Sequence, residues 1–387
     1  MWDPSEELAA LRAADLYRQP RRIDVAGPTE AWVDGRRCTV FCSNDYLGLA
    51  QHPSVVEAFT AAAQRDGVGS GAAHLITGHR REHEALEEEL AEFLGRDRVL
   101  LFSTGYMANM GVIDALASSG DGVFQDRLNH ASLLDGARLS GAKRIRYRHA
   151  DAEHLRMRLG AEAVARRLVV TDGVFSMDGD LAPLPAISQL AAEHDATLIV
   201  DDAHGIGVIG KQGRGVLEYY GLAQQQVPLL IGTLGKGLGT FGAFVAGPAP
   251  VVEYLVQKAR TFMFTTAQPP AVAAATRASL QLVRTESWRR DKLQTLIARF
   301  RRGAEQLGLP LMASQTPIQP LLVGEAQRAL RLGEQLMAAG MLVTPIRPPT
   351  VPPGSARLRI TFSAEHSEEQ VDRLLDAFER LKLADSA

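Results

Sequence analysis

The chain has 387 residues, with 42 Lys and Arg against 45 Asp and Glu, and only 2 Cys. A net charge of −3 offers no basic surface for a polyanion, which argues against nucleic acid and acidic membranes as partners and leaves small molecules. Two thiols, Cys38 and Cys42, favour a reducing cytoplasm over a disulfide framework. Neither a signal peptide nor a membrane span is predicted, because the N-terminus is acidic and the apolar runs are short.

Helical and extended patterns alternate through the first two thirds of the chain. Leucines at near-helical spacing predict an N-terminal helical arm over residues 6–17. Short apolar runs predict strands at 98–102, 168–171, 197–202 and 229–232, and amphipathic runs predict helices at 82–94 and 184–194. Such alternation is typical of a mostly parallel α/β sheet covered on both faces, which binds ligands at the carboxyl ends of its strands.

The pattern changes after Gln268-Pro269-Pro270. Helices are predicted at 271–284 and 288–307, strands at 319–323, 342–346 and 357–362, and a last helix from the capping box of Ser367 and Gln370 to about residue 383. This pattern predicts a smaller C-terminal α+β domain. The predicted division is an arm over 1–42, a large ligand-binding domain over 43–284 and a small domain over 285–387.

The string from Gly205 to Gly210 imitates two phosphate-binding motifs. A nucleotide phosphate loop requires Ser or Thr after its lysine, but Lys211 is followed by Gln212. A dinucleotide loop would open a helix and precede an acid about 20 residues on, whereas here the chain continues with Lys-Gln-Gly-Arg-Gly, which does not favour a helix. We therefore predict a glycine-rich surface loop, with a nucleotide-binding protein as the alternative of another class.

Three histidines, His74, His79 and His83, lie close together in the sequence. Only the last two share helical spacing, and no thiolate or acid completes a ligand set. We therefore expect no metal site.

Polar residues follow two of the predicted strands. Asp201 ends one strand, with His204 three residues later, and Lys236 follows the next strand. An amine at the mouth of a low-dielectric site has a lowered pKa, which makes it nucleophilic enough to bind a carbonyl covalently. Gly235 and Gly237 beside the lysine are expected to leave room for a bulky adduct, although a solvated turn lysine is the alternative.

Further polar residues follow other strands. The stretch from Ser103 to Asn109 turns into a helix whose first N–H groups at Gly105 are suited to a phosphate. His130 offers a flat ring that could stack on a cofactor, and Ser176 offers a hydroxyl. Taken together with the lysine and the carboxylate, these residues provide what pyridoxal phosphate requires, including a carboxylate that keeps its ring nitrogen protonated.

The order of these groups resembles the fold-type I, aspartate aminotransferase-like enzymes, and four strings resemble their α-oxoamine synthase branch: SNDYLGL from Ser43, DGVFSMDGD from Asp172, DDAHG from Asp201 and TLGKG from Thr233. The resemblance covers nearly the whole chain. It implies a large domain with a mostly parallel seven-stranded sheet and pyridoxal 5′-phosphate as the cofactor. It also implies a homodimer with shared active sites.

The resemblance also implies a role for each matching residue. Lys236, His130 and Asp201 would be catalytic: the lysine would hold the cofactor and act as base, the histidine would stack on the ring and the aspartate would pair with its nitrogen. The other cofactor contacts would be Gly105, Tyr106, Ser176, His204, Thr233 and, from the neighbouring subunit, Thr265 and Thr266. The substrate contacts would be Arg18, Asn44, His130, Thr350 and Arg359, with Arg359 clamping a carboxylate.

Strings from Ile318 and Ile346 are similar to the branch member that condenses L-alanine with a pimeloyl thioester in biotin synthesis. The resemblance therefore implies a decarboxylative acyl transfer, with coenzyme A or a carrier protein as the possible acyl carriers. The alternative within the branch is a sister enzyme, either glycine C-acetyltransferase or a serine-using synthase.

Overall fold

The computed structural model describes residues 2–381, so the predicted helix end near residue 383 lies outside the described residues. The helices are α1 Ser5–Ala13, α2 Pro53–Asp66, α3 Arg81–Leu94, α4 Gly105–Leu116, α5 Ala131–Leu139, α6 Ala152–Ala161, α7 Leu184–Glu193, α8 Val216–Tyr220, α9 Ala249–Lys258, α10 Arg260–Met263, α11 Pro270–Thr285, α12 Trp288–Gln306, α13 Ala326–Ala338 and α14 Glu368–Arg380. A single π-helical turn spans His74–Gly78.

The strands are β1 Ile23–Val25, β2 Glu30–Val33, β3 Arg36–Val40, β4 Arg98–Phe102, β5 Gly122–Asp126, β6 Lys143–Tyr147, β7 Arg167–Asp172, β8 Ala196–Asp201, β9 Leu229–Thr233, β10 Ala243–Gly247, β11 Ile318–Gly324, β12 Met341–Leu342, β13 Thr344–Ile346 and β14 Ala356–Thr361. Most predicted elements are present within a few residues. The N-terminal helix ends earlier than predicted, at Ala13, because the chain turns at Asp15, where φ is +56°.

The chain divides into two compact units. Unit 1 comprises Met1–Tyr46, Met177–Asp180 and Asp291–Ala387, and unit 2 comprises Leu47–Ser176 and Leu181–Arg290. The predicted arm over 1–42 therefore belongs to the same unit as the C-terminal segment. The reason is a long-range pairing, because β12 runs parallel to β3 with Met341 opposite Thr39.

Unit 2 contains a seven-stranded sheet in the order β4-β10-β9-β8-β7-β5-β6. Only β10 runs antiparallel to its neighbours, and the remaining pairs are parallel. The predicted mostly parallel sheet is thus confirmed. Its inner strands are buried along nearly their whole length, β5 and β10 at every residue, as a sheet covered on both faces requires.

Five of these strands end close to Gly105 or to a polar residue, all at one edge of the sheet. Gly105 follows β4, His130 follows β5, Asp172 and Asp201 end β7 and β8, and Thr233 ends β9. Because these strands point the same way, their carboxyl ends meet at this edge. The fold therefore collects side chains from distant parts of the sequence in one place.

Unit 1 contains two smaller sheets, in the orders β1-β2-β3-β12 and β11-β14-β13. The single strand predicted over 342–346 is two strands, because β12 pairs with β3 whereas β13 pairs with β14. The capping box at the start of α14 is confirmed, with Ser367 Oγ accepting from the Gln370 N–H and Gln370 accepting from the Ser367 N–H.

Over residues 2–381, no helix combines the length and the apolarity needed to cross a membrane.

Candidate active site

Lys236 lies on a turn that main-chain hydrogen bonds hold in place. Leu234 N–H donates to the Gly242 carbonyl, and Thr240 N–H donates back to the Leu234 carbonyl. The half-buried Lys236 Nζ lies 3.0 Å from Nε2 of the buried His204, which follows β8. The structure thus brings together the predicted lysine and histidine from two neighbouring strands.

Two carboxyl groups lie side by side next to this turn. Asp172 and Asp201 are direct partners in the parallel register of β7 and β8. Asp201 Oδ1 accepts from the Ala203 N–H at 3.0 Å, and Asp172 Oδ2 accepts from the His130 N–H at 2.7 Å. Burial, reinforced by the charge of Asp201, raises the pKa of Asp172 well above its usual range. A neutral Asp172 avoids the repulsion that two neighbouring carboxylates would otherwise experience.

His130 caps the start of α5 next to these carboxyl groups. Its Nδ1 lies 2.7 Å from Ser132 Oγ, and the edge of the Tyr106 ring faces it with the centroids 6.2 Å apart. Surrounding protein desolvates the imidazole and lowers its pKa, an effect that Asp201 opposes and Lys236 reinforces. The ring is therefore predominantly neutral at neutral pH, as suits a group that stacks on an aromatic cofactor.

The start of α4 offers an anion site. Gly105 is its first residue, and Thr104 Oγ1 accepts the Met107 N–H at 3.2 Å, a bond that does not involve the N–H groups of Gly105 and Tyr106. A Cβ added at Gly105 would meet no atom within 4 Å, so the space in front of the helix is open. Such N–H groups and the helix dipole favour a phosphate. The Tyr106 hydroxyl itself hydrogen-bonds to Asp135.

The donor set of unit 2 fits pyridoxal phosphate. It comprises an amine, a carboxylate, a neutral ring and an open helix N-terminus, all at one sheet edge. Thr233 Oγ1 donates to the Gly242 carbonyl at 3.0 Å beside the lysine turn, and the half-buried Ser176 lies in the loop after β7. Thr265 and Thr266 follow α10, where Thr266 forms an isolated bridge with Ala73.

Apart from His130, which belongs to unit 2, the predicted substrate residues lie in unit 1. Arg359, on β14, donates from Nη1 and Nη2 to Asn44 Oδ1 at 3.3 and 3.2 Å. Tyr46 donates its hydroxyl hydrogen to the same oxygen at 3.2 Å, and burial raises the pKa of this phenol, which keeps it protonated. The neighbouring Arg357 instead forms an ion pair of 2.6 Å with Asp178. Of the two strand arginines, Arg357 thus pairs with the Asp178 carboxylate, and Arg359 donates to the Asn44 amide oxygen.

Arg18 and Thr350 also meet within unit 1. Arg18 Nη2 donates to Thr350 Oγ1 at 3.2 Å in an exposed position. The segment that carries Arg18 is fixed by Arg347, which donates to the carbonyls of Asp15 and Tyr17. The two positions predicted for the acyl substrate are thus neighbours.

The Gly205 loop is not the surface loop that the sequence predicts, because residues 205–209 are buried. Each N–H in this stretch donates to a main-chain carbonyl, for example Gly207 to Gly213 at 2.8 Å. A Cβ at Gly205 or Gly215 would lie about 2 Å from the carboxyl oxygens of the buried Asp202, as the distances of 2.1 and 1.9 Å show. The N–H groups of residues 205–209 are therefore already used within the loop, which argues against the alternative of a nucleotide-binding protein.

The structure brings His74 next to the other two histidines, although His74 does not share their helical spacing. The π-helical turn brings His74 Nδ1 within 2.9 Å of His79 Nδ1, and possible ligand atoms of His74, His79 and His83 all lie within 4.8 Å of one another. However, His83 Nδ1 already accepts from the Arg80 N–H, and its Nε2 donates to the Gln268 carbonyl. A metal would have to displace one of these buried bonds.

Gly237, directly after the lysine, has a different role from the predicted one. A Cβ at Gly237 would lie 2.4 Å from the Ile206 carbonyl oxygen and 2.9 Å from Val208 Cγ2. Gly237 is therefore small because the protein's own main chain passes close by, and not to admit an adduct. Gly105, by contrast, does face open space.

Sequence reasoning gave no role to two residues, one in each unit. Asn109 donates to Asp201 Oδ2 at 2.6 Å, and Tyr46 supports Asn44 and Arg359. Asn109 could have been predicted, because it is a lone amide in the apolar stretch of α4. Tyr46 could not, because nothing in the sequence distinguishes it from an ordinary core aromatic residue.

Comparisons with known proteins agree with this geometry. The family model described as aminotransferase class I and II matches residues 36–378. A protein of Nitrosococcus oceani named 8-amino-7-oxononanoate synthase is 62% identical over 96% of this chain and 98% of its own length. A solved serine palmitoyltransferase of Sphingomonas wittichii is 36% identical, with a TM-score of 0.91 over 97% of this chain and 95% of its own. Another structure, described as SPT with PLP, is 32% identical, with a TM-score of 0.93 over 98% and 97%.

The chain therefore belongs to the aminotransferase class I and II family, whose enzymes use pyridoxal phosphate. Its relatives place it in the α-oxoamine synthase branch of that family.

Gly237→Ala is expected to destabilise unit 2 by about 1–3 kcal/mol, because its methyl group would overlap the Ile206 carbonyl. Gly105→Ala is the matched control, and its stability should stay within about 0.5 kcal/mol of the parent. Denaturant unfolding followed by circular dichroism measures both values. Equal stabilities for the two variants would contradict the stated role of Gly237.

Proposed function

We propose that the chain catalyses the decarboxylative condensation of L-alanine with a pimeloyl thioester, which gives 8-amino-7-oxononanoate, CO₂ and a free thiol in biotin biosynthesis. The observation that carries this proposal is the 62% identity, over nearly the whole of both chains, to a relative that is named for this activity. The solved serine palmitoyltransferases are less similar, at 36 and 32% identity. They make a serine-using condensation the second candidate.

Lys236 is proposed to hold the cofactor and then to move protons. When bound, pyridoxal phosphate supplies an electron-accepting ring that stabilises negative charge at the α carbon of the amino acid. Lys236 Nζ would hold the cofactor through its carbonyl carbon and, once the amino group of alanine has displaced it, would take the α proton of alanine. His204 Nε2, 3.0 Å from Nζ, orients the amine and is proposed to bind the phenolic oxygen of the ring together with Ser176.

The remaining residues of unit 2 are proposed to bind and orient the ring and the phosphate. Asp201 keeps a proton on the ring nitrogen, and His130 stacks on the ring. The N–H groups of Gly105 and Tyr106 at the start of α4 bind the phosphate, and Thr233 assists them. The support for these roles is the arrangement of all five residues at one sheet edge.

The unit 1 residues are proposed to bind the substrates. Arg359 binds the alanine carboxylate, a task that suits the planar donor fork of a guanidinium group. Asn44 orients Arg359 through its Oδ1. Arg18 and Thr350, which share a hydrogen bond, contact the acyl substrate.

A homodimer in the cytoplasm completes the proposal, with Thr265 and Thr266 reaching the phosphate of the neighbouring subunit. Support for a partner surface comes from Phe264, which is 68% exposed directly before these threonines. The two free cysteines, Cys38 and Cys42, fit a reducing compartment.

A substrate panel tests the reaction. The purified protein is loaded with pyridoxal phosphate and given L-alanine, glycine or L-serine, each with pimeloyl, acetyl or palmitoyl thioesters on coenzyme A and with pimeloyl on a carrier protein. Release of thiol and CO₂ is followed, and we expect turnover with alanine and a pimeloyl thioester at a kcat/KM at least roughly ten-fold above every other pair. Preference for glycine with acetyl-CoA, or for serine with palmitoyl-CoA, would replace the proposal by a sister activity.

Lys236→Ala should remove covalent attachment of the cofactor and lower turnover by roughly 10²–10⁴-fold or more. Borohydride reduction followed by peptide mass spectrometry should find the cofactor on Lys236 in the parent and on no peptide of the variant. Lys211→Ala, which changes an exposed lysine, is the control and should keep label and turnover. Normal turnover of Lys236→Ala would refute the proposed chemistry.

Arg359→Lys should raise the KM for alanine roughly ten-fold or more, because an ammonium group cannot hold a carboxylate through two parallel bonds. Arg357→Lys is the matched control on the same strand, and it should lower stability by disturbing the ion pair with Asp178 while changing the KM little. Initial rates at varied alanine and fixed acyl thioester give both values. If Arg357→Lys raised the KM for alanine more than Arg359→Lys does, the assignment of the alanine carboxylate to Arg359 would be wrong.

A further inference from the structure

Asn109 is a fully buried amide in an otherwise apolar part of α4. Its Nδ2 donates one hydrogen to Asp201 Oδ2 at 2.6 Å and the other to Ser132 Oγ at 2.8 Å. Both N–H bonds of the amide are therefore used, and one of them is donated to a carboxylate, which makes it a strong hydrogen bond.

The orientation of this amide is determined by its neighbours. Rotation by 180° would place Oδ1 against the Asp201 carboxylate, which is electrostatically repulsive. In the observed orientation Oδ1 is buried and has no hydrogen-bond partner among the described residues. A buried unsatisfied acceptor costs stability, and an apolar side chain of the same size would avoid that cost. The two donations from Nδ2 therefore account for an amide at this position.

The second donation from Asn109 extends to His130. Ser132 Oγ receives a hydrogen from Asn109 and lies 2.7 Å from His130 Nδ1, which also accepts the Ser132 N–H at 3.3 Å. Because Nδ1 accepts the Ser132 N–H, it carries no hydrogen of its own, and the Ser132 hydroxyl therefore donates to it. The proton of the neutral imidazole is then on Nε2.

We propose that Asn109 and Ser132 are positioning residues that hold Asp201 and His130 in one fixed arrangement for the cofactor. The inference rests on the proposed function, since Asp201 and His130 are positioned relative to bound pyridoxal phosphate. Asn109 holds Asp201 Oδ2 while the Ala203 N–H holds Oδ1, so the carboxylate plane is fixed from both sides. Through Ser132, the same amide fixes the tautomer and the tilt of the His130 ring.

The test measures the Kd for pyridoxal phosphate by equilibrium dialysis as a function of pH, for the parent and for Asn109→Ala, Asn109→Asp and Ser132→Ala. Asn109→Ala should raise the Kd roughly ten-fold at every pH, because it removes a bond to a charged group. Asn109→Asp has the same shape, so its protonated form can donate to Asp201 as the amide does, whereas its ionised form repels that carboxylate. The ratio of its Kd to the parent Kd should therefore be small in acid and rise as the pH increases.

The other titratable groups of the site, Asp172, His130, His204 and Lys236, are unchanged in these variants, so the ratio to the parent reports position 109. Ser132→Ala should change the Kd less than Asn109→Ala but lower kcat, because only the support of His130 is lost. Ser188→Ala, which removes a buried helical hydroxyl bonded to the Pro185 carbonyl, is the control for Ser132→Ala and should match the parent in both values.

The outcomes separate this inference from the proposed function. A parent protein that does not bind pyridoxal phosphate would refute the proposed function itself. A parent that binds it, with Asn109→Ala binding equally tightly, would refute the positioning role alone. A pH-independent Kd ratio for Asn109→Asp would refute it as well, since a role limited to packing would not respond to pH.

Discussion

The parallel register of β7 against β8 is the constraint on which the candidate active site depends. It sets Asp172 beside Asp201 at the carboxyl ends of two buried strands. A shift of one residue would turn every side chain of a strand to the opposite face of the sheet, and the buried residues on both faces forbid that. The hydrophobic interior of unit 2 therefore specifies the positions of Asp172 and Asp201.

A second arrangement of charges distinguishes two arginines on β14. Arg357 and Arg359 are two residues apart, so they point to the same face of the strand. Asp178 compensates the charge of the first, whereas the amide of Asn44 orients the second. The partners of the two side chains, and not their spacing in the sequence, therefore distinguish the two arginines.

The sequence predicts the parts of this molecule that depend on local pattern. Lys236 and Asp201 were identifiable because each follows an apolar strand, and the capping box at Ser367 is a local signal. The pairing of β3 with β12 could not be predicted from local pattern, because it joins Thr39 and Met341, which are about 300 residues apart in the sequence. The meeting of His74 with His79 was also missed, because it depends on a π-helical turn that helical spacing does not describe.

The buried loop after β8 shows what a glycine pattern can signify. Gly205 and Gly215 are confined by the carboxyl group of Asp202, which occupies the space that a side chain at either position would need. A phosphate-binding loop uses glycines in the same way, to let a main chain close around an oxygen-rich group. Here the enclosed group is covalently part of the chain, so the loop is filled from the moment of folding. Glycine motifs of this kind indicate that a main chain closely surrounds another chemical group. That group can be a side chain of the same protein.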